Sequence, residues 1–358
     1  MNRLMCMATS IVRSALAAGM LALSIVASAQ GVGLERLLIS EAGNQGFDAV
    51  IFYPARAPQA TTSLGPYEVL GLLSAVPRAG RFPLILISHG SRGSMLSHHL
   101  LASHLALNGF IVAALTHESD NSRDYRGQRE IIAAHTRAHQ LSLLLTATLN
   151  SSHGARIDRE RVGVIGYSAG SVTAMMLAGA LPDLARLQSY CLGRPRMDAC
   201  EAEDRVKDEI PQSLPIRDAR IKGALLLAPI GVVFSKEALE AVQIPVGIVA
   251  AQADEEAPIR TNLRPFAKHL RELALLEVVP GAGHGVFLAP CSDRLSAALR
   301  ELCKDGPLID RRRIHAMMSE LVISFFWYVF ESRSNPMRQK AAPTVPPAVH
   351  PLQSKVDG

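Results

Sequence analysis

Apolar residues fall into short uninterrupted runs separated by longer amphipathic stretches. Phe47–Tyr53 and Tyr67–Leu73 are strand-like and lie between Pro- and Gly-containing turns. A steadier rhythm follows. Pro83–Ser88 (PLILIS) ends at His89-Gly90, residues 94–107 read as a helix, and Phe110–Thr116 is apolar again. A long helical stretch covers about 127–150, and β-branched Val162–Tyr167 precedes a helix from Ala169. Ile221–Ala228, Pro245–Ala251 and Leu275–Val279 are further runs, with helical segments near 236–242, 260–273 and 311–330. Strands covered on both faces lose their apolar–polar alternation. Runs of this kind alternating with helices predict an α/β fold with a mostly parallel central sheet and helices on both faces.

Three segments depart from the rhythm. Between about Leu181 and Ala219 no strand is evident, and the segment holds Cys191, Cys200 and a charged stretch at Glu201–Glu209. It reads as an insertion at the carboxyl end of a strand, the place where a cap over a site arises. Leu321–Phe330 is too short an apolar run to span a bilayer and reads as a helix packed on the sheet. From residue 334 to 358, prolines without a core pattern indicate a flexible tail.

The N-terminus has Arg3 and Arg13 before the apolar run Ala15–Ala27, then Ala27-Ser28-Ala29. That is the pattern of a secretory signal peptide over residues 1–29, with Gln30 as the first mature residue and residues 30–333 as the folded domain. The rival reading is a membrane anchor, for which the run is short. Export places the protein in the periplasm or outside the cell and gives the cysteines a meaning. Of five, Cys6 leaves with the signal peptide, and Cys191, Cys200, Cys291 and Cys303 remain. Local pairs are the natural disulfides, although four cysteines allow three connectivities. A zinc site is the weaker alternative because no CxxC occurs.

Hydrophobic residues make up 48% and charged residues 19%, with a net charge of +5, so nothing suggests disorder or a nucleic-acid partner. The dense basic run Arg311-Arg312-Arg313 reads as a solvated helix start.

Gly166-Tyr167-Ser168-Ala169-Gly170 is a GxSxG motif between a strand and a helix. That context defines a nucleophile elbow, with Ser168 as nucleophile. Ser88-His89-Gly90-Ser91 ends an earlier strand and fits an oxyanion loop. The backbone N–H groups of Ser91 and Ala169 would stabilise a tetrahedral intermediate, with His89 supporting the loop. His284, on Gly281-Ala282-Gly283-His284-Gly285 after the last strand, is the candidate base. Asp254, after PVGIVAA, is the candidate acid in the order Ser…Asp…His, with Glu255 and Glu256 as adjacent alternatives. His135 and His139 lack the HExxH glutamate and read as a surface pair, and His98, His99 and His104 lie on a helical stretch. No metal or cofactor is implied.

FDAVIFYPA, FPLILISHGSRG, IDRERVGVIGYSAG, the strand ending at Asp254 and GAGHGVFLAP resemble the bacterial predicted dienelactone hydrolases. Those in turn are similar to the platelet-activating factor acetylhydrolase group. The resemblance runs from about Phe47 to His284. It implies the α/β-hydrolase fold and hydrolysis of a small-molecule or lipid-like ester through an acyl-enzyme on Ser168. A phospholipase-like variant of that chemistry and a catalytically inactive binding module are the alternatives. Ser168 stands where dienelactone hydrolases carry Cys. Ala228-Pro229 stands where the acetylhydrolases take their acid.

Overall fold

The computed structural model describes residues 30–40, 46–124, 131–192, 217–298 and 300–334. The strands are β1 (Gln30–Ile39), β2 (Phe47–Arg56), β3 (Thr61–Leu64), β4 (Tyr67–Leu70), β5 (Leu72–Leu73), β6 (Phe82–Ser88), β7 (Ile111–Leu115), β8 (Ile157–Tyr167), β9 (Gly223–Leu227), β10 (Val246–Ala251) and β11 (Leu273–Val279). Nine of them form one sheet in the order β11-β10-β9-β8-β6-β7-β2-β1-β5, and β3 pairs with β4 separately. From β7 to β11 every pairing is parallel, while β2 runs antiparallel to both β1 and β7.

The period-2 alternation of side chains divides the core into two layers. Leu84 and Leu86 of β6, Val162 and Val164 of β8, and Ala224 and Leu226 of β9 share one layer. It is closed by α2 (Ile131–Asn150), α3 (Ala169–Ala178), α5 (Lys236–Glu240) and α6 (Ile259–His269). Ile85, Ile87, Ile165, Leu225 and Leu227 face the other layer, closed by α1 (His99–Leu107) and α9 (Arg311–Ser334). The run Leu321–Phe330 lies within α9. Its Phe326 packs so close to β8 that a Cβ on Gly163 would stand 2.3 Å from the ring.

The chain passes from β6 to β7 on one side of β6 and then crosses back to β8 on the other. Strand order therefore reverses at β6. The carboxyl ends flanking such a reversal open a crevice, which is where sites form in α/β sheets.

Several elements differ from the sequence reading, each for a local reason. β1 had no clear apolar run because Glu35, Arg36 and Leu38 lie on the outer half of a strand near the sheet edge. Tyr67–Leu73 is two strands split at Gly71. The helix expected from residue 94 begins at His99. Ser94 and Ser97 bond to local backbone instead, with Ser97 Oγ accepting the Ser94 N–H at 2.9 Å, and turn the chain before α1. Arg311 is not a solvated helix start. It is buried, pairs with Asp305 at 2.8 Å, and donates to the Leu302 carbonyl. Arg312 and Arg313 are exposed.

Cys291 and Cys303 form a disulfide, which excludes a link from either to Cys191 or Cys200. Cys191 is also disulfide-bonded, to a partner outside the described residues. The expected insertion begins with α4 (Leu184–Cys191), whose cap Asp183 accepts the Ala185 N–H. Residues 193–216, the expected signal peptide and all but the first residue of the expected tail also lie outside the described residues. Two further helices, α7 (Asp293–Ala298) and α8 (Arg300–Cys303), lie inside the loop closed by Cys291–Cys303.

Phe326 is fully buried between α9 and the sheet. Phe326→Ala should cost about 3–5 kcal/mol by lost burial and the cavity left behind. Denaturant titration of the purified variant measures this, and a loss below about 1 kcal/mol would mean that α9 is not a structural layer of the core.

Candidate active site

The strand-to-helix turn after β8 sets the site. Ser168 has φ +51° and ψ −118°, a left-handed backbone that a non-glycine residue adopts only when its surroundings impose it. The restraints are visible. Its N–H donates to the Leu227 carbonyl of β9 at 3.0 Å. Its carbonyl accepts from the Ser171 N–H at 2.8 Å and the Ser171 hydroxyl at 2.6 Å. The flanking glycines are required by contact, since a Cβ on Gly166 would lie 2.1 Å from the Gly170 carbonyl oxygen, and one on Gly170 2.1 Å from that of Ser88. The Ser168 side chain makes no capping bond to α3 and is left to face its neighbours.

Asp254 follows β10, and His284 follows β11 in a short 3₁₀ turn, His284–Phe287. The structure brings Ser168, His284 and Asp254 together. His284 Nε2 is 2.9 Å from Ser168 Oγ, and Nδ1 is 2.8 Å from Asp254 Oδ2. A carboxylate accepts, so Nδ1 carries the proton and Nε2 presents its lone pair to the serine hydroxyl. Asp254 is 5% exposed, and its other oxygen accepts the Ala257 N–H at 2.7 Å. Glu255 and Glu256 are exposed. This arrangement can move a proton from the hydroxyl to the imidazole and stabilise the resulting cation.

The loop after β6 is held by neutral histidines. His89 Nε2 accepts the His117 N–H at 3.0 Å, so its Nδ1 bears the proton and donates to the Gly90 carbonyl at 2.6 Å. Gly93 N–H donates to the same carbonyl at 3.2 Å. With no cis peptide among the described residues, C=O and N–H point opposite ways across each bond. Fixing the Gly90 carbonyl therefore fixes the direction of the Ser91 N–H. Ala169 opens α3, where the first N–H groups have no intrahelical acceptor. His117 continues the network, with Nε2 at 2.8 Å from Ser88 Oγ and Nδ1 at 3.0 Å from Gln140 Oε1. Burial, reinforced by the nearby Arg137 guanidinium, holds both His89 and His117 well below the usual histidine range.

A second histidine set holds the loop that carries His284. His98 Nδ1 is 3.1 Å from the Phe287 carbonyl, and His315 Nε2 lies 3.0 and 2.8 Å from those of Val286 and Leu288. Carbonyls accept, so both imidazoles donate to this loop. Tyr167 links the elbow to the same loop by donating its hydroxyl to the His284 carbonyl at 3.1 Å. Its ring lies 5.0 Å from that of His98.

Sequence reasoning missed Arg137, Asp120, His117, Gln140 and His315. One signal was present. Arg137, Gln140, Leu141, Leu144 and Thr148 follow helical spacing and are all buried, so a charge sat on the stripe that faces the core and required a partner. The expected surface pair divides: His135 is buried and His139 exposed. Among the described residues, no group of three or more His, Cys, Asp or Glu side chains is placed to hold a metal ion. No helix among them is long and apolar enough to cross a membrane.

The nine-stranded, mostly parallel sheet with helices on both faces is the α/β-hydrolase fold, and Ser168, Asp254 and His284 follow the carboxyl ends of its β8, β10 and β11. The fold matches that of a ferulic acid esterase from Streptomyces cinnamoneus with a TM-score of 0.58 and 18% identity, covering 84% of this chain and 89% of that one. Residues 60–354 match the family model for chlorophyllase, and the chain belongs to that family. The family shown by this match is chlorophyllase, and the match does not confirm the resemblance of the motifs to the dienelactone hydrolase and acetylhydrolase groups. No curated protein sequence matches the chain directly.

Burial pushes His98 down to about 3, and His99 and His315 to about 4. In the unfolded chain a histidine titrates near 6.5. Between those values the unfolded state binds more protons, so stability present above pH 6.5 is lost as pH falls towards 4. The melting temperature should therefore change little between pH 8 and 7 and fall by at least about 5 °C between pH 7 and 5. Calorimetric scans across this range test it, and a flat profile down to pH 5 would contradict neutral buried histidines.

Proposed function

We propose that the protein hydrolyses carboxylic esters through an acyl-enzyme on Ser168. The observation that carries this reading is the relay from Ser168 Oγ through His284 to buried Asp254 at 2.9 and 2.8 Å. Membership of the chlorophyllase family and the likeness in fold to an esterase support it. His284 Nε2 takes the hydroxyl proton as Ser168 Oγ attacks the carbonyl carbon. The Ser91 and Ala169 N–H groups receive the developing oxyanion. As the tetrahedral intermediate collapses, His284 returns the proton to the leaving alkoxide oxygen. Water, deprotonated by the same imidazole, then releases the acid and restores Ser168. Beyond the ester, the steps call on these protein groups and one water molecule.

We also infer that the protein works in the periplasm or outside the cell. Residues 1–29 have the pattern of a signal peptide, and the Cys291–Cys303 disulfide suits an oxidising compartment. The substrate is a small-molecule or lipid-like ester, and p-nitrophenyl esters from acetate to palmitate would define its acyl range.

Ser168→Ala should lower turnover of these esters by several orders of magnitude. A purified, folded variant that keeps a tenth of wild-type kcat would remove Ser168 from the role. Asp254→Asn should leave the imidazole in the wrong tautomer and cost roughly 10⁴-fold in kcat. Glu255→Gln and Glu256→Gln should cost far less, and a larger loss from either would reassign the acid.

A further inference from the structure

A buried charge adjoins the site without belonging to the relay. Arg137 of α2 and Asp120, each 3% exposed, form an ion pair of 2.6 Å. The other contacts of the guanidinium lead to both sources of the oxyanion N–H groups. Arg137 Nη2 donates to the His89 carbonyl, at the start of the loop that carries Ser91, and to Ser88 Oγ at 3.3 Å. Asp120 Oδ1 accepts the Arg92 N–H at 3.0 Å, on the other side of Ser91. Arg137 Nε donates to Thr173 Oγ1 at 3.2 Å, and that hydroxyl donates to the Ala169 carbonyl at 3.4 Å.

Resting on the ester-hydrolase reading, we propose that the Arg137–Asp120 pair is a positioning device that sets the spacing between the Ser91 and Ala169 N–H groups. Both ends of the segment His89–Arg92 are tied to it, one through the guanidinium and one through the carboxylate. The first turn of α3 is tied to the same guanidinium through Thr173. Arg92 has φ +59°, a conformation a non-glycine residue keeps only under restraint, and the Asp120 bond to its N–H is one such restraint. Stability alone does not call for such a pair. Buried ion pairs are often matched or exceeded by apolar side chains of similar volume, because desolvation offsets their attraction. Geometry is what the pair supplies. A planar guanidinium meets a carboxylate, a carbonyl and hydroxyls along fixed donor directions, whereas a lysine ammonium is a point charge on a flexible stem whose three donors rotate together. An oxyanion hole depends on such fixity, since its donors must already point at the position the charge will occupy.

Arg137→Lys and Asp120→Asn in the full-length protein test this with p-nitrophenyl acetate as substrate and a trifluoromethyl ketone as inhibitor. Ser168 Oγ adds to the ketone carbon, its proton passes to His284, and the adduct oxygen occupies the oxyanion position. In either variant kcat should fall about 10- to 100-fold with KM within about twofold. Inhibitor affinity should weaken by the same factor as kcat/KM. Near-UV circular dichroism separates folded from unfolded variants. If neither folds, Thr173→Val, which removes the acceptor of Arg137 Nε together with the tie to Ala169 but keeps the ion pair, should still lower kcat about two- to fivefold and weaken the inhibitor in parallel. Folded variants that retain kcat within about twofold, or that lose kcat without a matching loss of inhibitor affinity, would overturn the proposal. Ser168→Ala, assayed alongside, separates the two readings. If it stays active, the ester-hydrolase mechanism fails. If it is inactive while Arg137→Lys keeps its kcat, only the positioning role fails.

Discussion

The left-handed backbone at Ser168 is the constraint from which the site follows. A helix that starts immediately after β8 brings the Gly170 carbonyl to within 2.1 Å of where a Gly166 Cβ would stand. The Ser88 carbonyl at the end of β6 likewise excludes a Cβ at Gly170, so both glycines two residues from the serine are required. The strain is held by the Leu227 carbonyl of β9 and by the hydroxyl of Ser171. The same turn leaves the Ala169 N–H at a helix start, without an intrahelical acceptor. One local geometry thus exposes a hydroxyl and frees a donor beside it.

Around that turn, two loops are held by neutral histidines, and one of them is tied to a buried ion pair as well. The loop carrying His284 hangs on neutral donors, His98, His315 and Tyr167, all acting on backbone carbonyls. The loop carrying Ser91 is oriented by neutral His89 and attached to the buried Arg137–Asp120 pair. Uncharged imidazoles can be buried at modest cost, whereas a guanidinium is tolerated there only with its partner. Both loops therefore depend on imidazoles that stay uncharged, and the loop carrying Ser91 depends on an ionic partnership as well.

Much of this was legible before the structure. The sheet from β6 to β11 and the helix from Ala169 follow from apolar runs and their spacing, because doubly covered strands advertise themselves in sequence. Ser168, His284 and Asp254 stand out because each follows such a run at its carboxyl end. The hidden parts were those whose surroundings only the fold supplies. β1 has a mixed pattern because its outer half lies near an edge. Arg311 looked like one of three solvated arginines, and only the fold shows it turned onto Asp305 and the Leu302 carbonyl. Arg137 needed Asp120, His89 and Thr173 to explain it, contacts that span up to 48 residues.

The account rests on Ser168 being a nucleophile activated in place. Peptide mass spectrometry of the full-length protein after treatment with a fluorophosphonate tests this most directly. One adduct localised to Ser168, and absent from protein in which His284 is replaced by Ala, is the predicted result. An unmodified chain, or a phosphonyl group on a different serine, would contradict it.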